Sequence, residues 1–75
     1  MSIKVTLDEM LKERDLTSKE LCELVGITEA NMSILRSGRA RAIRFKTLNK
    51  LCFCLHCSPG DLLKFINDGK ENKND

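Results

Sequence analysis

Two short segments in the middle of the chain each carry a signal that starts a helix and a glycine that ends it. The first, TSKELCELVG, opens with a capping box, because the Thr17 hydroxyl can accept from the N–H of Glu20, whose carboxylate can reach back. It ends at Gly26, which can adopt the left-handed conformation common at helix ends. The second, EANMSILRS, follows the N-cap Thr28 and is closed by Gly38. This pattern predicts two short helices joined by a very tight turn.

The helices predicted over about residues 18–25 and 29–37 form a helix-turn-helix unit, and the flanking sequence predicts its scaffold. A helix is expected from Leu7, another over about 45–55, and a fifth element after the N-cap Ser58. The core-facing residues expected on the second and fourth helices are Leu21, Leu24, Val25, Phe45, Leu48, Leu51, Cys52 and Leu55. Alternation in SIKVTL indicates a short strand, for which the residues after Leu62 offer an antiparallel partner.

Length and composition define the general class of protein. The 75 residues make one small domain with a mainly aliphatic core, since the chain has no Trp or Tyr and few Phe. We expect this domain to cover residues 1–66 and to be followed by a polar flexible tail over 67–75. No apolar run approaches the roughly 20 residues of a membrane span, and the signal-peptide layout is missing. These features predict a cytoplasmic protein with no membrane partner.

The charged residues are unevenly distributed, although the formal net charge is only +2. No Asp or Glu occurs between Glu29 and Asp61, whereas the segment RSGRARAIRFKTLNK inside that window carries four Arg and two Lys. Clustered like charges repel and gain nothing from folding, so they indicate an anionic partner, most often phosphate. The alternative is a solvated loop in a basic-leaning sequence.

Residues 16–63 as a whole resemble the Cro/CI-type (XRE-like) helix-turn-helix regulators of bacteria and phages. Cys22 stands where that family has a small residue at the helix crossing, and Gly26 matches its turn glycine. Met32 and Leu35 match the apolar residues that dock the second helix of the pair. SGRARAIRF resembles the family's basic loop, and CSPGDLL resembles the ending of its shorter members. The resemblance implies an all-α, four- to five-helix lambda-repressor-like domain and a sequence-specific transcriptional regulator, most simply a repressor. An enzyme is disfavoured, because the chain has one His and no credible nucleophile–base pair.

In that family the second helix of the pair enters the DNA major groove. Carried over by position, the residues expected at base edges are Thr28, Glu29, Ala30, Asn31, Ser33 and Ile34. Those expected at phosphate are Ser18, Arg36, Ser37, Gly38, Arg39, Arg41 and Arg44. Asn31 is the candidate for a bidentate adenine contact, and Ala30 or Ile34 for a thymine methyl group. Glu29 stands where the family often has an amide; it either accepts from a cytosine amino group or is simply an acid at a helix start.

The resemblance also implies partners. The expected partner is double-stranded DNA, bound at a palindromic site by a homodimer, since single modules of this size bind weakly. Phe53 falls on the polar side of the fourth helix and is the candidate interface residue; a stray surface Phe is the alternative. No cofactor or small-molecule ligand is indicated. The alternative functions are an antitoxin-like module with autoregulatory DNA binding and, less favoured, a metal or thiol sensor.

The sensor hypothesis depends on LCFCLHC, which holds three of the four cysteines and the one histidine. On a helix, Cys52 and Cys54 point about 200° apart, so they cannot share a metal ion or form a disulfide. Cys52 and His56 do share a face, but two ligands are fewer than the four of a structural zinc site. We therefore interpret Cys52 and Cys57 as small hydrophobic residues of the scaffold, with Cys54 as the most exposed thiol.

Overall fold

The computed structural model describes residues 2–67, which form five short helices and a small sheet. In chain order the elements are β1 (Ser2–Val5), α1 (Leu7–Glu13), α2 (Ser18–Val25), α3 (Glu29–Ser37), α4 (Phe45–Leu55), α5 (Pro59–Leu62) and β2 (Leu63–Ile66). The predicted five-helix domain with an added pair of strands is confirmed. The expected tail lies outside the described residues, apart from Asn67.

Side chains and glycines set the ends of α2 and α3. The hydroxyl of Thr17 accepts from the N–H of Glu20 at 3.0 Å, and the Glu20 carboxylate accepts from the N–H of Thr17 at 2.9 Å. Thr28 caps α3, since its hydroxyl accepts from the N–H of Asn31 at 3.1 Å. Gly26 and Gly38 end the two helices with φ of 85° and 80°, a conformation that disfavours residues with a Cβ. The turn between α2 and α3 is therefore only three residues long.

The two strands close the domain by bringing its described ends together. β1 and β2 are antiparallel, with Ser2 opposite Ile66 and Val5 opposite Leu63. The buried residue Thr6 extends this pairing beyond the strands, because its N–H donates to the carbonyl of Leu62 at 2.8 Å. The Thr6 hydroxyl also donates to the carbonyl of Asp61 at 2.7 Å. A polar side chain buried in the core is thus fully hydrogen-bonded.

The core is aliphatic and draws on all five helices. Its buried members are Leu7, Met10, Leu11, Leu21, Cys22, Val25, Met32, Leu48, Leu51, Leu55 and Leu62. Leu21 of α2, Met32 of α3 and Leu55 of α4 have no exposed surface at all, so they lie where these helices meet. Within residues 2–67, no helix combines the length and apolarity needed to span a bilayer.

Two side chains expected in the core are exposed instead. Leu24 is 59% exposed because it lies about 110° around α2 from the midpoint of the buried residues Leu21, Cys22 and Val25. Phe45 is 82% exposed because it is the first residue of α4, about 80° from the stripe centred on Leu55. The prediction that these two residues face the core was wrong.

Candidate nucleic-acid interface

The helix α3 is docked by one face and leaves the opposite face in solvent. Met32 is fully buried and Leu35 is half-buried against the core. The residues around the opposite face, at ~100° per residue, are Ala30, Ser33, Ile34 and Ser37, and all four are exposed. Three of them are small, so a partner surface can approach the α3 backbone closely.

The other residues expected at base edges lie around the N-terminal end of α3. The Thr28 hydroxyl is engaged as the helix cap. Glu29 is exposed in the first turn, where the positive end of the helix dipole favours a carboxylate. Asn31 faces a shallow groove that runs between α3 and the start of α4, with Arg44 and Thr47 in its opposite wall. The structure therefore brings Asn31 and Arg44 to one groove.

The segment from Ser37 to Arg44, which we call the arginine loop, begins with an ordered turn. The Ser37 hydroxyl donates to the carbonyl of Ile34 at 2.8 Å and accepts from the N–H and the Nε–H of Arg39 at 3.2 and 2.9 Å. Because one hydroxyl holds both the backbone and the side chain of Arg39, the guanidinium lies beside the end of α3.

The arginine loop is exposed and strongly basic. Arg39, Arg41 and Arg44 are all exposed, and within residues 2–67 none of their guanidinium groups pairs with a carboxylate. Three unpaired cations next to a helix with an uncharged outer face produce a positive potential along one side of that helix. Such a surface attracts a polyanion.

Two predicted phosphate contacts have different surroundings. Arg36 forms an ion pair with Asp8 of α1, on the side of α3 away from Asn31. Both side chains are well exposed, so the pair contributes little to stability and can be exchanged for another anion. Ser18 is half-buried at the first position of α2. The structure thus groups Ser37, Gly38, Arg39, Arg41 and Arg44 on one loop, with Ser18 and Arg36 on separate elements.

The groove that Asn31 faces is lined by three further residues that the sequence alone did not identify. Ile27, Ala42 and Thr47 line the groove that Asn31 faces, although they lie on the turn before α3, on the loop and on α4. Thr47 was not identified because the spacing of α4 alone does not reveal which of its polar residues faces α3. Its hydroxyl is one more hydrogen-bonding group at this groove.

The three cysteines at the end of α4 are neither freely exposed nor fully buried. Cys52, Cys54 and Cys57 are all half-buried and packed against the core, so Cys54, expected to be the most exposed thiol, is half-buried like the other two. Burial raises the pKa of the Cys57 thiol, and the neighbouring Cys52 raises it further. Among the described residues, no three His, Cys, Asp or Glu side chains are grouped so as to hold a metal ion.

Comparison with known proteins agrees with this geometry. Residues 6–68 match the model of the Cro/C1-type HTH DNA-binding domain. The chain is also 48% identical over 68 residues to YozG of Bacillus subtilis (strain 168), an uncharacterized HTH-type transcriptional regulator; the match covers 91% of this chain and 81% of the relative. This chain belongs to the Cro/C1-type helix-turn-helix family, and it is a DNA-binding transcriptional regulator.

Proposed function

We propose that this regulator is a repressor that binds a palindromic operator as a homodimer and reads it with α3 in the major groove. The observation that carries the proposal is the arrangement of α3 and the arginine loop. An uncharged helix face made mostly of small side chains lies beside three arginines that have no acidic partners within residues 2–67. DNA offers the matching surface, a groove of hydrogen-bonding base edges between two rows of phosphates.

Base readout is assigned to the exposed side of α3. Ala30 and Ser33 are short enough for the helix to lie deep in the groove, where Ala30 and Ile34 meet thymine methyl groups. Asn31 makes the bidentate adenine contact, and Glu29 accepts from cytosine N4. Thr28 lies next to these residues and also contacts a base edge, while its hydroxyl caps α3.

Phosphate binding is assigned to the arginine loop and to the helix ends around it. Arg39, Arg41 and Arg44 supply most of the charge, and Ser18 and the backbone at Ser37 and Gly38 donate hydrogen bonds. Arg36 joins them by exchanging Asp8 for a phosphate. The positive charge of the arginine loop fixes the register of α3 on the duplex without adding sequence preference.

Dimerisation is assigned to the outer side of α4, where Phe53 is 79% exposed. A Phe side chain exposed to water costs free energy, and this cost is relieved when a second copy of the chain covers it. The two copies of α3 in such a dimer need a separation of about 34 Å to enter successive major grooves. Repression then follows from occupancy, because a dimer on a promoter excludes polymerase.

The test is selection from randomised duplex DNA followed by sequencing, repeated over a salt series. We expect an enriched inverted repeat with half-sites about one helical turn apart. Four arginines per protomer give eight phosphate contacts per dimer, so log Kobs should fall with log[salt] at a slope of roughly −7. Transcription in vitro from a promoter overlapping that site should fall as protein is added. A failure to enrich any sequence at any salt concentration would overturn the proposal, and increased transcription would overturn the repressor role.

A further inference from the structure

An apolar cavity of about 210 Å³ lies directly beneath the arginine loop. Its floor consists of buried leucines, among them Leu7 of α1, Leu51 of α4 and Leu62 of α5. Val5 and Leu63, which face each other across the two strands, form one wall. The roof is the loop itself, from Gly38 to Ile43.

This cavity has the size and the lining of a site for a small apolar molecule. Protein interiors leave few voids larger than a water molecule, and an apolar void stays dry because water finds no polar partners in it. A cavity of about 150 Å³ with a similar lining binds benzene, so one of 210 Å³ has room for about eight non-hydrogen atoms by proportion. Ile3, at the edge of the cavity, is 59% exposed, which leaves a route of entry from solvent.

The charge at the edge of the cavity determines which class of apolar ligand can bind there. Arg41 is the one charged residue in its wall among the residues described, and no carboxylate pairs with it. A ligand ammonium group would be repelled there, whereas a ligand carboxylate would gain a charge-assisted, bidentate hydrogen bond. We propose that the cavity binds a medium-chain fatty acid of about eight carbons, with its alkyl chain against the leucines and its carboxylate at Arg41.

Such a ligand would control DNA binding. Arg41 cannot hold a ligand carboxylate and a DNA phosphate at the same time, so the fatty acid competes with DNA for this side chain. The control of DNA binding rests on the proposed function, in which Arg41 contacts phosphate. The binding of the fatty acid to the free protein does not, and it can be tested separately.

The first experiment titrates octanoate and octylammonium separately into the protein without DNA. Octanoate should shift the amide NMR signals of Val5, Leu35 and Leu63 in a saturable way and raise Tm by several degrees. Octylammonium has the same alkyl chain and the opposite charge, and it should bind at least tenfold more weakly. Equal binding of the two compounds would overturn the carboxylate assignment, and binding of neither would overturn the site.

Two variants locate the site. Val5 is half-buried in the cavity wall and outside the DNA-contacting set, so Val5→Phe should occupy part of the cavity and weaken octanoate binding at least tenfold while DNA affinity stays within about twofold. Arg41→Gln keeps the apolar lining and should weaken octanoate binding about tenfold. If both variants bound octanoate as tightly as the native chain, the ligand would lie elsewhere and the proposal would be wrong.

The last experiment adds DNA. Octanoate should reduce the slope of log Kobs against log[salt] by about one per protomer, as expected for the loss of one phosphate contact, and should have much less effect on Val5→Phe. If octanoate bound and left DNA affinity unchanged, the proposed competition between octanoate and DNA for Arg41 would be wrong. If the protein bound no DNA at all, the proposed function would fail, and the result from the free protein would still decide the fatty-acid site.

Discussion

The Nε–H of Arg14 donates to the backbone carbonyl of Leu55 at 2.7 Å and so joins the end of α1 to the end of α4. A second guanidinium nitrogen of Arg14 donates to the carbonyl of His56 at 3.3 Å. These carbonyls lie at the C-terminal end of α4, where no N–H of the same helix is available to them. A positive charge at that end also interacts favourably with the helix dipole. Arg14 therefore contributes to stability rather than to DNA binding.

Replacing Arg14 should destabilise the fold. Arg14→Ala removes charge-assisted hydrogen bonds to two helix-end carbonyls, so the free energy of unfolding should fall by about 1–2 kcal/mol. Urea denaturation measures this loss. Arg44→Ala is the matched control, because Arg44 is exposed and its side chain makes no capping hydrogen bond although it occupies the N-cap position of α4, so stability should change by less than about 0.5 kcal/mol. Equal losses in the two variants would contradict the capping role of Arg14.

The residue after α4 is held in a conformation that suits glycine. His56 has φ of 52° and ψ of 53°, so its Cβ strains the backbone, and His56→Gly should raise the free energy of unfolding by about 0.5–1 kcal/mol. Gly26→Ala is the reverse test at the end of α2. A Cβ at Gly26 would meet nothing within 4 Å, so its cost of about 1 kcal/mol is purely conformational. Thermal unfolding measures both effects, and a change in Tm of the same sign in the two variants would contradict this reasoning.

The capping box of α2 should make stability depend on acid pH. Hydrogen bonds from the backbone and side chain of Thr17 lower the pKa of Glu20 below its ordinary value. Since the folded pKa is lower than the unfolded pKa, this contribution is present above the unfolded pKa, about 4.3, and is lost as pH falls through the folded pKa. Glu20→Gln should therefore flatten the dependence of Tm on pH below about 4.5. Glu23→Gln, on the same helix outside the box, should leave more of that dependence in place.

DNA-binding variants should separate base readout from phosphate contact. Asn31→Ala should cost about 1–3 kcal/mol at one base position and relax the preference there. Arg44→Ala, in the opposite wall of the same groove, should weaken binding to all sequences and reduce the salt slope by about one per protomer. Binding of each variant to single-base variants of the selected operator measures both effects. If the two variants gave the same pattern, the assignment of the recognition face would be wrong.

The dimer interface has a matched pair of test residues on one helix. Phe53 and Phe45 of α4 are similarly exposed, at 79% and 82%, but only Phe53 is assigned to the interface. Phe53→Ser should shift the monomer–dimer equilibrium toward monomer by about tenfold or more in sedimentation velocity, since it removes most of a buried aromatic surface. Phe45→Ser should not. A stronger effect from Phe45 would move the interface to the beginning of α4.

The features of the fold that sequence could predict are those with local causes. The helix-end glycines, the Thr17 and Thr28 caps and the alternation before Thr6 each act within a few residues, and each is found in the structure. The pairing of β1 with β2 was also predicted, because each strand has one apolar face that must be shielded from water.

The features that sequence could not predict depend on packing between distant segments. The spacing of hydrophobic residues along a helix does not define the width of its buried face. Leu24 and Phe45, at the edges of that face, were therefore wrongly predicted to be buried. The ion pair between Arg36 and Asp8 joins residues 28 apart, and no local pattern marks it. The cavity depends on how the arginine loop crosses the core, and the sequence of that loop specifies its charge but not its path.

The pairing of the two strands also sets the order in which the domain can be completed during synthesis. Thr6 and its partner Asp61 are 55 residues apart, so a ribosome makes β1 well before β2. While the chain grows, the hydrogen-bonding edge of β1 has no partner and the apolar side chains of Ile3 and Val5 have no cover. The helices can assemble in that interval, but the sheet forms only after β2 has left the exit tunnel. Emergence of β2 from the ribosome, rather than helix formation, is therefore the step that closes this domain.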